Sequence, residues 1–453
     1  MNTIKKHIEK NNEIEFLKYF ALIFMFFSLV FARSFVGIYV FGYRVGELFM
    51  LLSLTIFIYL TLFKKNKAKT VSFLRKLNFI ILISFLLNLI ISDASFLNPY
   101  SYKTSTYIWG LGFLFLGIYT KKIKVNNTTL LLTIFILIYT YYSSIFGYPS
   151  LFENFFLNFS DKYEPHKAAD IVLLLFLFSV YLGDYLKNSY VGFCLNLVTY
   201  SIFLPLLLYK SRAAFIGCLV FFFYILYENK SNLKKDYLKN LFLLIFCFFV
   251  ATVSTITSQR LVIQEYTVEE ISESYSKLSQ YKFNHYREEQ KLIYIEDNRI
   301  YSADGNLNWR LQMWQDQIIY TIDDGNIFTG VGYKDMLKVF VVETPHESCD
   351  LDDKGTCGNN RRGIDGLNEN LHNYFLTIFA RGGLIHLFCF LTLYFYLIIK
   401  AQRDEKIKFY FILFGIIFIS SFDSSMENAH FPLIFYFFIG NYFFNNSLKF
   451  EKV

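Results

Sequence analysis

Three short clusters carry residue types that could act on a phosphorylated or hydroxylated substrate. Lys210-Ser211-Arg212 stands between two apolar runs. A guanidinium presents a fixed fork of N–H donors that fits a phosphate, and a neighbouring ammonium adds a point charge. The plainer reading is a pair of interfacial anchors whose charged tips snorkel to lipid headgroups. Asn308-Trp-Arg310-Leu-Gln-Met-Trp314 places a second Arg in a polar stretch, where a solvated helix face over packed Trp is the plainer account. His372-Asn373 stands where a polar stretch turns apolar. The start of a helix disfavours imidazolium, and a neutral imidazole there can take a proton from a hydroxyl. A capping or interfacial role is the plain alternative. Arg44 and Glu47 are three positions apart. They are either a helix-surface pair or part of an anion pocket.

Metal chemistry has one foothold, Asp350-Leu-Asp352-Asp353, flanked by Cys349 and Cys357. Carboxylates at that spacing could hold Mg²⁺ or Ca²⁺. An Asp-rich turn closed by a Cys349–Cys357 disulfide is the commoner arrangement, so no metal or other cofactor is expected. Cys194, Cys218, Cys247 and Cys389 fall in apolar runs and read as small core residues.

The elements that must position these groups are membrane helices. Of the 453 residues, 54% are hydrophobic, 21% aromatic and only 18% charged, against about 25% charged in soluble domains. That excludes a disordered chain, a coiled coil and an ordinary soluble enzyme. Twelve apolar runs approach the roughly 20 residues a spanning helix needs. They cover 17–33, 45–63, 77–92, 105–120, 129–147, 170–186, 190–209, 213–228, 240–257, 373–399, 408–422 and 431–445. Lys and Arg concentrate in alternate connecting segments, which by the positive-inside rule places both termini in the cytoplasm. No cleavable signal peptide is expected, because the N-terminus is polar through Glu15.

One segment breaks the alternation. Residues 258–371 form a 114-residue polar insertion with 12 Lys+Arg and 20 Asp+Glu. Long external loops cross a membrane largely regardless of charge, and loops of such length are usually functional. Thr267-Val-Glu-Glu270 reads as a capping box opening a polar helix to about residue 295. A second, amphipathic helix begins at Asn308 and stops near Asp324-Gly325, Gly330-Val-Gly332 is a turn, and 343–366 look irregular. The domain plan is membrane spans 1 to 9 in residues 1–257, the loop in 258–371, and spans 10 to 12 in 372–453.

Ser211-Arg212-Ala-Ala, Trp309-Arg310 with Trp314, Gly330-x-Gly332, and His372-Asn373 separated by nine residues from Gly383-Leu-Ile form an ordered series. In order, spacing and topology it resembles the O-antigen polymerase and O-antigen ligase superfamily over roughly residues 165–400. Those are bacterial envelope glycosyltransferases acting on lipid-linked oligosaccharides. Pro165-His166 looks like a variant of a family segment that more often has Asn after Pro. His386 stands where members often have Gly. The resemblance implies an all-α, glycosyltransferase-C-like polytopic protein of the bacterial inner membrane with a large periplasmic loop. It implies a donor and an acceptor glycan on undecaprenyl diphosphate, the bilayer itself, and the chain-length regulator and flippase of such a system as partners, with no nucleic acid. Arg212 and Arg310 would neutralise the departing diphosphate, assisted by Lys210 and Arg44. His372, with Asn373 beside it, would orient or deprotonate the acceptor hydroxyl. Within the family the expectation is a repeat-unit polymerase for O-antigen or capsule. A ligase to lipid A–core and a protein O-oligosaccharyltransferase are the alternatives. A transporter or flippase is the competing class, weakened by the absence of internal repeats.

Overall fold

A computed structural model describes residues 2–63, 69–95, 99–186, 189–230, 237–259, 293–296, 298–302, 305–323, 327–334, 337–338, 367–368, 371–401 and 405–444. In chain order the elements begin with α1 (Asn2–Val36), β1 (Tyr39–Val40), β2 (Tyr43–Arg44), α2 (Val45–Ile58), α3 (Lys69–Ile91) and α4 (Pro99–Thr104). They continue with α5 (Thr106–Trp109), α6 (Leu111–Tyr119), α7 (Asn127–Phe146), α8 (Ser150–Phe159), α9 (Ala168–Leu186), α10 (Tyr190–Lys210), α11 (Arg212–Glu228) and α12 (Tyr237–Ser258). The remainder are β3 (Ile293–Glu296), β4 (Arg299–Ser302), α13 (Gly305–Asp323), β5 (Leu337–Lys338), β6 (Leu367–Asn368), α14 (Tyr374–Lys400), α15 (Lys406–Ser420) and α16 (His430–Phe443). The strands form three separate antiparallel pairs, β1–β2, β3–β4 and β5–β6.

The protein is an all-α membrane-type chain. Among the described residues, eight helices are long and apolar enough to cross a bilayer: Phe16–Val36, Val45–Phe63, Thr70–Ile91, Asn127–Phe146, Ala168–Leu186, Tyr190–Lys210, Tyr237–Ser258 and Tyr374–Lys400. The other four runs expected to span are helical but shorter. Run 105–120 divides into α5 and the nine-residue α6, while α11, α15 and α16 have 17, 15 and 14 residues. At 1.5 Å per residue, 14 residues cover only about 21 Å. Two of them are enclosed by protein: all of α16 is buried, as is α6 up to its last residue. Apolar composition is the same whether lipid or protein surrounds a helix.

Two compact units form, one from residues 1–76, 106–264 and 395–453, the other from 77–105 and 265–394. At the centre of the first unit α6 lies against α16 with almost no side chain between them. A Cβ on Gly440 would collide with the Leu114 carbonyl, and one on Gly117 with the Phe437 carbonyl. Small residues at such crossings let two backbones approach. On another side of α6, Gly112 leaves room for the backbone of Ser53 on α2, and Ser53 Oγ donates to the Trp109 carbonyl at 2.5 Å.

In the second unit the polar helix expected up to residue 295 is corrected at its end. Ile293–Ile295 are strand, paired with Ile300–Ser302; residues 260–292 lie outside the described residues. The β3–β4 hairpin is held by one face of α13, where Asn308, Gln312 and Asp316 recur every four residues. Arg299 Nε donates to Gln312 Oε1 at 3.0 Å and its Nη2 to Asp316 Oδ1 at 2.6 Å. Asn308 Oδ1 accepts the Ser302 N–H at 3.0 Å. These side chains need a strand edge rather than a preceding helix. The amphipathic helix itself forms, starting three residues before Asn308 and ending at Asp323.

Gly440→Ala should destabilise the protein by about 1–3 kcal/mol through overpacking, visible as a lower thermal midpoint in detergent. An unchanged midpoint would contradict the backbone contact between α6 and α16.

Candidate functional site

One end of the first unit collects charged groups from six helices. It is organised by a break in α1. Ala32 has φ 45° and ψ −128°, non-helical values inside an otherwise continuous helix. Carbonyls around the break are taken by side chains from residues 148–166. Tyr148 OH donates to the Phe31 carbonyl at 2.9 Å, Ser160 Oγ to Ser34 O at 2.8 Å, and His166 Nε2 lies 2.8 Å from the Leu29 carbonyl. Ser34 Oγ in turn joins the backbone N–H and carbonyl of Glu164 at 2.9 and 3.0 Å. Buried helix breaks are tolerated when every freed group finds such a partner.

Cations and anions interleave on this frame. Arg33 Nη1 meets Glu164 Oε2 at 2.5 Å, and its Nη2 donates to Asn428 Oδ1 at 2.9 Å. Lys167 lies 3.5 Å from the other Glu164 oxygen. Arg44 pairs with Asp161 at 2.5 Å and with Glu47 at 3.5 Å. Glu47 also accepts the Arg44 backbone N–H, closing a capping box on α2. The Arg44–Glu47 pair of the sequence is therefore a helix-start device, and Asp161 is a partner that spacing could not reveal.

Lys210 and Arg212 flank Ser211, which ends α10 and caps α11 by accepting the Ala214 N–H. Arg212 is exposed in the first turn of α11. Lys210 Nζ donates to the His166 carbonyl at 3.1 Å, so the Lys-Ser-Arg cluster and the Pro165-His166 segment adjoin. Next to them His430, at the start of α16, donates from Nε2 to Asp170 Oδ1 at 2.9 Å, and Asp170 Oδ2 accepts the Lys167 N–H at 3.2 Å. Arg33 and the Asp170–His430 pair were not singled out from sequence. Arg33, charged within an apolar run, was the available signal, since charge at membrane depth marks function or tight pairing.

The second unit holds Arg310, His372 and Asn373. Asn373 is the N-cap of α14: its Oδ1 accepts the Leu376 N–H at 3.1 Å and its carbonyl the Thr377 N–H at 2.9 Å. His372, just before the cap, has φ 49°, a left-handed conformation rare outside glycine. The residue before it is fixed by the loop helix, because Trp314 Nε1 donates to the Leu371 carbonyl at 2.8 Å. Met313, Leu337, Leu371 and Ala380 form a buried cluster beneath, with Trp314, Val331 and Leu376 packed on it. Arg310 lies half-buried on the same helix α13. Cys349, Cys357 and the Asp350–Asp353 motif lie outside the described residues.

Gly330, Gly332 and Gly383 turn out to be one assembly. Gly383 has φ 65° and ψ −165° and breaks α14. Val331 and Gly332 donate to the Ala380 and Arg381 carbonyls at 2.7 and 3.2 Å, and Leu384 and Ile385 donate to the Ile327 and Phe328 carbonyls at 2.8 and 3.2 Å. Positive φ at Gly330 and Gly332, 71° and 89°, permits the loop to lie this close. Arg381 is 1% exposed; it donates to the Gly332 carbonyl at 3.1 Å and to Tyr100 OH at 2.9 Å. His386, the departure from the family pattern, is a buried bridge. Its Nδ1 lies 3.0 Å from Tyr333 OH and its Nε2 3.2 Å from the Ile81 carbonyl.

Comparison with known proteins adds no assignment: no family model matches the chain, and no curated protein matches it.

Two outcomes follow. His166 is buried against the Leu29 carbonyl, which can only accept, so Nε2 carries the proton and Nδ1 faces Ser143 Oγ at 3.4 Å. Burial holds its pKa below the ordinary 6.5. Below pH 6.5 the unfolded chain gains a proton that the folded one resists, so stability falls as pH drops from that value towards the lower folded one. Thermal midpoints measured against pH should show this decline, and His166→Gln should flatten it; parallel curves for parent and variant would refute the assignment. Asn373→Asp should keep the α14 cap, whereas Asn373→Ala should cost about 1 kcal/mol. Equal stability of the two variants would show that the cap is immaterial.

Proposed function

We propose that the protein polymerises undecaprenyl-diphosphate-linked oligosaccharide repeat units into O-antigen or capsular polysaccharide at the outer leaflet of the inner membrane. The observation that carries this is the polar end of the first unit. Lys210 and Arg212 stand there at the junction of α10 and α11, beside Arg33, Arg44 and Lys167, which are paired with Glu164 and Asp161, and a lipid-borne diphosphate would present its charge to such helix ends. The ordered sequence motifs supply the reaction class.

The chemistry needs no nucleotide, because the diphosphate leaving group already carries the activation. An acceptor hydroxyl attacks the anomeric carbon, its C–O bond forms as the bond to the diphosphate oxygen breaks, and the configuration inverts. Arg212, with Lys210 beside it, neutralises the leaving diphosphate. From the sequence motifs alone, Arg310 would be a second cation and His372 the acceptor of the hydroxyl proton. The left-handed backbone at His372 fits this role, since strained residues persist where their surroundings over-determine them and cluster at active sites.

The break in α14 weighs against a transporter. Half-helix ends in transporters coordinate substrate or ions. Here the Ala380 and Arg381 carbonyls and the Leu384 and Ile385 N–H groups are occupied by residues 327–332.

The test is a gel of surface polysaccharide from a deletion strain complemented with parent, Arg212→Ala or His372→Ala at equal membrane levels. A ladder from the parent that collapses to single repeat units, with turnover reduced about a hundredfold in either variant, is the expected result. Long chains left on the carrier but absent from lipid A–core would make the protein a ligase instead. An unchanged glycan pattern in the deletion strain would sink the proposal.

A further inference from the structure

Two connecting segments of the first unit turn apolar side chains outward at the ends of helices of membrane length. The first is the β1–β2 hairpin between α1 and α2. Val40 pairs with Tyr43, so Phe41 and Gly42 form a two-residue turn. Both have positive φ, 52° and 82°, as a type I′ turn requires. Gly42 adopts this freely, but for a bulky side chain it is an outlier. Asn or Asp would suit the position better. Phe41 nevertheless stands there 98% exposed, so packing within this chain does not offset the strain. Tyr39 and Tyr43 beside it are exposed as well.

The second segment is α8, between α7 and α9. Its Phe152 and Phe156 pack on Phe31 of α1, with ring centroids 5.0 and 5.1 Å apart. Leu151, Phe155 and Phe159 recur every four residues and are exposed, so they form one stripe. By helical spacing this stripe runs between the Phe152–Phe156 side and a polar side with Asn154 and Asn158, both exposed. Leu157 is exposed on the flank of Glu153. An apolar stripe beside a polar one, on a helix of ten residues, is the pattern of a helix that lies in a bilayer interface instead of crossing it. The outward side of α7, with Phe135, Ile138, Tyr142 and Phe146 exposed, belongs to a helix of membrane length. Only Gly147, Tyr148 and Pro149 separate it from α8. The two segments are also joined to each other. Ile38 bridges Ser160, the Asp161 N–H donates to the Gly37 carbonyl at 3.3 Å, and Asp161 pairs with Arg44.

We infer that the Phe41 turn and the Leu151–Phe155–Phe159 stripe insert into the lipid leaflet that borders the charged end of the first unit. In the sequence both are connecting segments, and neither belongs to a spanning run. Acyl chains give Phe41 the apolar surroundings that the fold withholds. Tyr39 and Tyr43 stand at headgroup level, where amphipathic rings concentrate, and Asn154 and Asn158 face water. The occupant is lipid rather than a glycan, because the side chains that protrude furthest, Phe41 and the 76% exposed Leu151, carry no hydrogen-bonding group. By the distribution of Lys and Arg, this is the outer leaflet. Arg44 is part of the hairpin, so insertion sets the depth of the charged end against the lipid phosphates. The inference is independent of glycosyl transfer.

The full chain in phosphatidylcholine vesicles tests it, with a tryptophan added at one position at a time and the emission of the parent's three Trp subtracted. The quenchers are phosphatidylcholine brominated in the upper acyl chain, and iodide in the buffer on both sides of the membrane. Phe41→Trp and Phe155→Trp should lose most of the added emission to the brominated lipid and little to iodide. Asn154→Trp, one residue along α8 but on its polar side, should do the reverse. Phe41→Trp leaves the backbone cost of the turn as it is and replaces a side chain that packs on nothing in this chain. Iodide quenching of Phe41→Trp or Phe155→Trp as strong as that of Asn154→Trp would place these segments in water and overturn the inference. Protection of either from both quenchers, the mark of a second copy or another protein covering it, would overturn it too.

Discussion

Four backbone hydrogen bonds across the break at Gly383 are the constraint on which the second unit depends. A helix interrupted in an apolar setting leaves N–H and C=O groups whose burial without partners costs several kcal/mol. Residues 327–332 repair that loss and in doing so attach the polar loop to a membrane helix. Arg381, Tyr333 and His386 then brace the joint from within. The start of α14, with His372 and Asn373, is fixed at one remove, through the Met313–Leu371–Ala380 cluster and the Trp314 bond to the Leu371 carbonyl.

The first unit solves a similar problem differently. The break at Ala32 in α1 is mended by side chains of Tyr148, Ser160 and His166 rather than by a second backbone. Side chains have more freedom than a paired strand, but they carry more chemistry. The segment that mends α1 therefore also brings Asp161, Glu164 and Lys167 into the charged end of the bundle. Structural repair and the placing of charge are here the same event.

Much of the architecture was legible because apolar runs of about 20 residues admit few other fates. The four short helices show the limit of that signal: α6 and α16 are as apolar as any span, yet protein surrounds them. The hairpin Ile293–Ser302 was hidden because its stability comes from Arg299 reaching Gln312 and Asp316, contacts that a local pattern does not contain. Gly330, Gly332 and Gly383 were visible as motifs, but their joint meaning was not. A glycine in a helical run shows no sign of a break until the chain that fills the break is known. The Lys210-Ser211-Arg212 cluster was legible from residue type and Pro165-His166 from the motif series, whereas the contact between them and the Asp170–His430 pair needed the tertiary structure.

The pairing of α6 with α16 also bears on how the chain is made. Asn441 and Gly117, in contact at this crossing, are 324 residues apart. At bacterial and eukaryotic synthesis rates of about 5–20 residues per second, α16 follows α6 by roughly 16–65 s. During that interval α2 can already cover the Gly112 side of α6 through Ser53, but the Gly117 side has no native partner. Nine residues are too few to hold a transmembrane position on their own. The middle of the first unit is consequently the last part to be completed, and a chain truncated before His430 lacks the helix around which that unit is packed.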